Sequence, residues 1–509
     1  MEILASIPAN VALGLETALL PINLLLCLSG VLMGMLVGVI PGVGVLTALA
    51  LLLPITYSLD ATSALIMLAG VYYGTAYGGS IASILLNLPG ETSSAVACLD
   101  GFPMAQQGRA GVALMLNALA AFFGGSIGIL LLMLFSPLIV NVALRFGPVE
   151  YFSIIILGLM AASAVSQGSV IKAVAMAVLG MAFGAVGTDV YTGTPRLVFG
   201  EFSLSDGISL VALAVGLFGI PEIITSINHI SETKISSKSI TFQSMKPTRA
   251  EMRRFWMPAL RGSAIGSFFG IMPGTGATIS GFMAYLVERK IARDPSRFGK
   301  GAIEGIIAPE ASHNACDQTA FIPTLTLGIP AKPTMAIMLG ALMIHGITPG
   351  PNLMVDKPDV FWGLIMSFWI GNLLLLVVNI PLIGLWVRLL SVPYHLMYPA
   401  VLVFVCVGIY SENVSSFEVG EVILFGMVGY LLRLFDFPPA PLLLGFILGP
   451  MAEEQFRRSM LLSGGDFMTF LESPISAAFL AITAAILLWA LIAKVRSFRS
   501  VIPELGEGA

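Results

Sequence analysis

Charge is what this 509-residue chain has least of. Asp, Glu, Lys and Arg make up 11% of it, whereas 57% is hydrophobic and the mean hydropathy is +0.94. A soluble globular domain carries about 25% charged residues, so a soluble fold is excluded. No Lys or Arg precedes Arg109. The first apolar segment therefore lacks the basic flank of a cleaved signal peptide, and the N-terminus is expected to face away from the cytoplasm, which in a bacterial inner membrane is the periplasmic side. Histidine and cysteine are also scarce. Cys27, Cys98, Cys316 and Cys406 have no metal or redox spacing and read as small packing residues, and His229, His313, His345 and His395 form no zinc signature. No G-x-S-x-G elbow, Walker sequence or paired-carboxylate pattern occurs, which leaves an intramembrane enzyme or an ATP-driven pump without support. No catalytic residue, resident cofactor or nucleic-acid partner is expected.

What is abundant is long apolar sequence. Runs such as 112–140, 360–387 and 474–493 can each cross a hydrocarbon core of about 30 Å, and the chain reads as an all-α polytopic membrane protein with roughly 10–14 membrane segments. Its Lys and Arg cluster at 225–261, 289–300 and 494–499, regions that the positive-inside rule puts in the cytoplasm. The long hydrophilic stretch near the midpoint divides the chain into a first membrane half (1–224), a cytoplasmic linker (225–256), a second half (257–493) and a cytoplasmic tail (494–509).

The halves carry the same punctuation. Gly30, Gly34, Gly38, Pro41, Gly42 and Gly44 recur 232 positions later as Gly262, Gly266, Gly270, Pro273, Gly274 and Gly276. Glycines at spacing four give a smooth helix face for close packing, and the following Pro-Gly-x-Gly breaks the helix. A second break follows in each half, at Leu88-Pro89-Gly90 and Ile329-Pro330-Ala331, now 241 positions apart. Equivalent loops carry opposite charge bias, which favours two inverted repeats with discontinuous helices and re-entrant hairpins.

A helix that restarts after a break offers unpaired N–H groups to an anion, and its unwound carbonyls and hydroxyls suit Na⁺. Candidate substrate or ion ligands are therefore Gly42, Gly44, Thr47, Gly274, Thr275, Gly276 and Thr278 at the first breaks, with Pro41 and Pro273 as hinges. At the second breaks they are Ser83, Asn87, Gly90, Thr92, Ser93, Thr324, Thr326 and Lys332, with Pro89 and Pro330 as hinges. Glu91 is either a membrane-depth cation site or a simple first-turn acid. Between the breaks of the second half lies a polar island, 309–319, where His313, Asn314, Gln318 and Thr319 can hold a polar solute; the other reading of it is a loop entrance wetted by solvent. Na⁺ is expected at Gly42, Thr275 and Asn314, with H⁺ the alternative coupling ion. The other reading of the glycine stripes is plain helix packing beside a kink.

The stretches GVIPGVG (38–44), ALIMLAGVYYGTAYGGSIASILLNLPGETSS (64–94), DGFPMAQQGRAG (100–111), GIMPGTGATIS (270–280), FGKGAIEGIIAPEASHNA (298–315), IPTLTLGIP (322–330) and GALMIHGITPGP (340–351) resemble the large membrane subunit of the tripartite tricarboxylate transporters, the TctA family. The resemblance implies a bacterial inner-membrane permease driven by an ion gradient, usually Na⁺, that works with a small four-helix membrane subunit and a periplasmic solute-binding protein delivering an organic carboxylate. It also implies helical hairpins and an elevator-like or rocking movement. The matching motif positions are Pro41, Gly42, Gly44, Asn87, Pro89, Gly90, Glu91, Pro273, Gly274, Gly276, Pro309, Glu310, Asn314, Thr324, Gly328 and Pro330. The chain departs from the usual pattern at Cys316-Asp317-Gln318-Thr319 and at Ala331-Lys332-Pro333, which puts citrate itself in doubt. A channel, or a permease for another small polar solute, remains as an alternative.

Overall fold

The computed structural model describes residues 7–40, 43–89, 93–165, 169–189, 191–226, 244–273, 276–389, 403, 406–407, 409–410 and 415–501. It is 81% helical. Among the described residues the strands form a two-residue ribbon, β1 (Gly187–Thr188) antiparallel to β2 (Pro195–Arg196), so the all-α class holds. Among the described residues three helical stretches, Pro21–Gly38, Ala95–Ala143 and Pro358–Trp386, are long and apolar enough to cross a membrane, and further apolar helices are shorter.

Two compact units are formed, Met1–Leu144 with Ser209–Tyr430, and Arg145–Ile208 with Leu431–Ala509. The helices of the first unit that position the site are α1 (Pro21–Gly38), α2 (Val45–Leu52), α3 (Ala61–Leu86), α4 (Ala95–Met104), α5 (Ala110–Ala143), α6 (Arg249–Ile271), α7 (Gly276–Ile291), α8 (Glu304–Thr319), α9 (Phe321–Leu327), α10 (Pro333–Ile344) and α11 (Pro358–Leu389). In the second unit, helix Val170–Gly184 packs on helix Pro439–Leu462 through Gly180 and Gly445.

α3 starts where the Asp60 carboxylate accepts the Ser63 N–H at 3.1 Å, an N-cap that supplies one of the unpaired amides of the first turn with a partner. From Thr62 to Leu85 every residue of α3 is buried, as expected of a helix apolar on all sides at the centre of a bundle. Its partner α1 meets it backbone to backbone. A Cβ on Gly30, Gly34 or Gly38 would lie 3.1, 2.9 and 2.8 Å from the carbonyl carbons of Met67, Val71 and Thr75. In return, a Cβ on Gly70 would lie 2.6 Å from the Cys27 oxygen, one on Gly74 2.8 Å from the Met35 nitrogen, and one on Gly78 2.7 Å from the Gly38 carbonyl carbon. The seam is thus glycine on both faces.

α6 and α8 also meet closely, with glycine on the α6 face alone: Gly262, Gly266 and Gly270 lie on Ala308, Ser312 and Cys316. These three partners stand 241 positions after Met67, Val71 and Thr75. On another side α8 receives α5, where Gly124 and Gly128 lie against Ala311 and Ala315.

Both second breaks have one geometry. α3 ends at Asn87 with φ 57°, and α9 ends at Gly328 with φ 71°; each is in the left-handed region. Glycine takes that conformation freely and Asn is among the few others that do so readily. The helix therefore stops one residue before the Leu-Pro or Ile-Pro pair. The tips differ in burial: Asn87 and Pro89 are exposed, while Gly328 and Pro330 are buried.

Candidate functional site: a buried polar network between α3 and α8

The polar island is the body of α8 and not a solvent-wetted loop. Every residue from Gly305 to Thr319 is buried except Asn314, which is half-buried. Polar side chains are tolerated at such a position only if they hold one another, and here they do. At spacing i, i+4, the Asn314 amide donates to the Glu310 side-chain oxygen at 3.1 Å and to its carbonyl at 3.0 Å, and His313 Nε2 lies 3.3 Å from Asp317 Oδ2.

The rest of the network comes from α3 and from the tip before α10. Tyr73 Oη donates to Gln318 Oε1 at 2.7 Å, and Ser80 Oγ donates to Glu310 Oε2 at 3.2 Å. Lys332, the N-cap residue of α10, donates from Nζ to Asp317 Oδ1 and to Tyr72 Oη. Its ammonium also stands 5.0 Å from the centre of the Tyr72 ring, a cation–π distance. Phe321 and Phe368 pack on these tyrosines, with centroid separations of 6.1 Å from Tyr72 and 5.6 Å from Tyr73 respectively. Asp317 and His313 side chains are 4% exposed and that of Lys332 is 12% exposed, so the lysine is the outer member of the chain of contacts.

Four other candidate hydroxyls sit on α3, α8 and α9. Ser83 donates to Gly79 O at 2.9 Å, Thr319 to Ala315 O at 2.9 Å, Thr324 to Ala320 O at 2.7 Å, and Thr326 to Ile322 O at 2.7 Å. A hydroxyl bonded back to its own helix has committed its proton and presents only lone pairs. Such oxygens can receive a cation or a donor, not a carboxylate.

Among the expected site residues, His313 and Lys332 meet on Asp317, Asn314 holds Glu310 and Gln318 holds Tyr73, three hydrogen-bonded groups along α8. Gly44 is the extended N-cap of α2, Gly276 opens α7 with φ 64°, Thr47 and Ser93 are buried on α2 and just before α4, and Thr278 is half-buried on α7. Pro273 is half-buried where α6 ends. Pro41, Gly42, Gly90, Glu91, Thr92, Gly274 and Thr275 lie outside the described residues, and with them the expected Na⁺ positions at Gly42 and Thr275.

Sequence reasoning did not put Tyr72, Tyr73, Ser80, Glu310 and Asp317 among the ligands. The signal was present as helical spacing: residues 310 and 314, and residues 313 and 317, share helix faces, as do 73, 77 and 80. Away from the network, Asp100 in α4 fixes the approach to α8, its Oδ1 accepting the Gly301 and Ala302 N–H groups at 2.8 and 2.7 Å.

Comparison with known proteins adds three findings. The family model described as "Tripartite tricarboxylate transporter TctA family" matches residues 24–444. An uncharacterized 52.8 kDa protein in the TAR-I ttuC' 3' region of Agrobacterium vitis is 47% identical over 491 residues, 96% of this chain and 97% of that protein. An uncharacterized protein in the TAR-II ttuC' 3' region of the same organism is 48% identical over 234 residues, 46% of this chain and 97% of its own length. No solved structure matches. A multi-pass helical chain with a buried polar network, matched over most of its length by that family model, belongs to the tripartite tricarboxylate transporter TctA family.

Proposed function

We propose that this chain is the large permease subunit of a binding-protein-dependent secondary transporter that imports an organic di- or tricarboxylate by symport with a cation, Na⁺ ahead of H⁺. The observation that carries the reading is the polar cluster of buried Glu310, His313, Asp317 and Gln318 with half-buried Asn314 and Lys332, close in sequence to a helix break at Gly328. Ionisable groups at membrane depth mark solute and ion pathways. The lysine suits a carboxylate, and the back-bonded hydroxyls of Ser83, Thr319, Thr324 and Thr326, with the Asn314 side-chain oxygen, suit a hard cation.

In this reading the halves 1–224 and 257–493 are inverted repeats of 10–14 membrane segments in total, their helix breaks forming re-entrant hairpins. The linker 225–256 and tail 494–509 face the cytoplasm of a bacterial cell, and the N-terminus faces the periplasm. A periplasmic solute-binding protein and a small four-helix membrane subunit complete the system. The 241-residue offset shared by the helix seams and the second breaks supports the repeat.

The test is uptake of radiolabelled di- and tricarboxylates by proteoliposomes holding the chain and the small subunit, with the binding protein outside. Accumulation that requires the binding protein and collapses when the Na⁺ gradient is removed is expected. Uptake that only equilibrates, without a gradient or a binding protein, would mean a channel.

A further inference from the structure

The Lys332–Asp317 pair has an unusual position for a structural ion pair. Lys332 is the only Lys or Arg between Lys300 and Lys357. It sits at the tip formed by the second break, on the first turn of α10, not inside a helix. A buried ion pair is weak evidence for stability, because desolvating two charges offsets most of their attraction. A second feature on the same turn points to a missing ligand: the Thr334 hydroxyl is buried and has no hydrogen-bond partner. The ammonium and this hydroxyl are both donors, two residues apart.

The charge inventory gives the pair a task. Glu310, Asp317 and Lys332 place two carboxylates and one ammonium in the network, with His313 on the remaining oxygen of Asp317 and Tyr72 on the ammonium. A solute carboxylate that binds Lys332 must displace Asp317. The displaced Asp317 is then a buried anion on the same helix as the buried Glu310, which the interior accepts only with a counter-charge.

We propose that Lys332 is the anchor for one carboxylate of the transported solute, that Asp317 occupies that anchor in the unloaded protein, and that the coupling cation enters to neutralise Asp317 when the solute displaces it. This rests on the reading of the chain as a carboxylate permease and adds the specificity residue and the source of the coupling. His313, already on Oδ2 of Asp317, is the positioning residue that keeps the released carboxylate facing the network.

The experiment compares wild type, K332M, D317N and the double variant K332M/D317N in the complete reconstituted system, using a panel of radiolabelled C4–C6 di- and tricarboxylates with radiolabelled Na⁺. K332M is expected to lose uptake by about 100-fold at unchanged membrane level, the scale of removing one desolvated charge contact. D317N is expected to lower uptake, and the uptake that remains is expected to import one cation fewer per solute. The double variant is expected to stay inactive, and it also carries the comparison if K332M alone is lost from the membrane, since it buries no unpaired charge at this site. Recovery of uptake in the double variant would make the pair structural and overturn the proposal, as would an unchanged cation count in D317N. If wild type takes up none of the panel, the carboxylate reading itself fails; if wild type transports and K332M transports equally, only the anchor fails.

Discussion

Replacing Gly266 by Ala tests whether the α6–α8 seam sets the position of the polar network. A Cβ at Gly266 would lie 2.6 Å from the carbonyl carbon and 2.8 Å from the Cα of Ser312, and closer still to its oxygen. Carbon atoms rest at about 3.5–4.0 Å, so the helices must part by about 1 Å. Because the obstacle is backbone, no rotamer change relieves it. Overpacking of this kind costs about 1–3 kcal/mol. The helix propensity gained from Gly to Ala returns about 1 kcal/mol, so a net loss of about 2 kcal/mol remains at the upper end of that range. Gly384 in α11 is the internal control, because nothing lies within 4 Å of its would-be Cβ. There the same substitution keeps only the propensity term and raises stability by up to about 1 kcal/mol.

The assay is the fraction of full-length protein that remains monodisperse after heating in detergent. The midpoint for Gly266→Ala should fall by several degrees and that for Gly384→Ala should hold or rise. Uptake by Gly266→Ala should also fall in material that survives, because Ser312 adjoins His313. A Gly266→Ala protein as heat-resistant as wild type would refute the reading of the seam as a backbone contact.

Asn87 separates a backbone role from a ligand role. Asn87→Gly should keep uptake, since φ 57° suits glycine, while Asn87→Leu should cost about 1–2 kcal/mol of local strain and reduce both stability and uptake; loss of uptake in Asn87→Gly would make the side chain a ligand. The Arg261 guanidinium grips the buried Glu288 carboxylate through bonds of 2.6 and 2.9 Å, so Arg261→Met, which leaves that carboxylate unpaired, should lower the heating midpoint by the equivalent of about 3 kcal/mol, and a wild-type midpoint would rule out a structural role. Asp100→Ala should strip the Gly301 and Ala302 amides of their acceptor at a cost of about 1–3 kcal/mol, read in the same heating assay. A cysteine at Ser237 in the linker should be labelled by a membrane-impermeant maleimide in inverted vesicles and not in intact cells, the opposite pattern reversing the orientation.

The all-helical membrane class was legible in composition, because a chain with so little charge cannot form a water-facing surface. The family was legible in long motifs such as GVYYGTAYGGS and IIAPEASHNA. The state of the polar island was not. Residues 309–319 have the composition of a wetted loop, and their burial follows from partners such as Tyr73 and Ser80, more than 200 residues away in sequence and adjacent in space. The second breaks were visible through their prolines, but the turning residues are Asn87 and Gly328, two positions earlier in each case, and a φ value leaves no mark in hydropathy. The ion pair between Asp317 and Lys332 was hidden because the residues stand on either side of the break, and only the fold closes that gap.

The reciprocal glycine seam between α1 and α3 also has a mechanical consequence. Side chains that interlock can slip past one another by changing rotamers, whereas two backbones pressed together have no such freedom. The pair therefore bends and travels as one double-thickness beam, and α6 with α8 as another. In the proposed transport cycle, alternating exposure of the solute is expected to be taken up where the beams end, at Asn87 after α3 and at Ala320, where α8 gives way to α9.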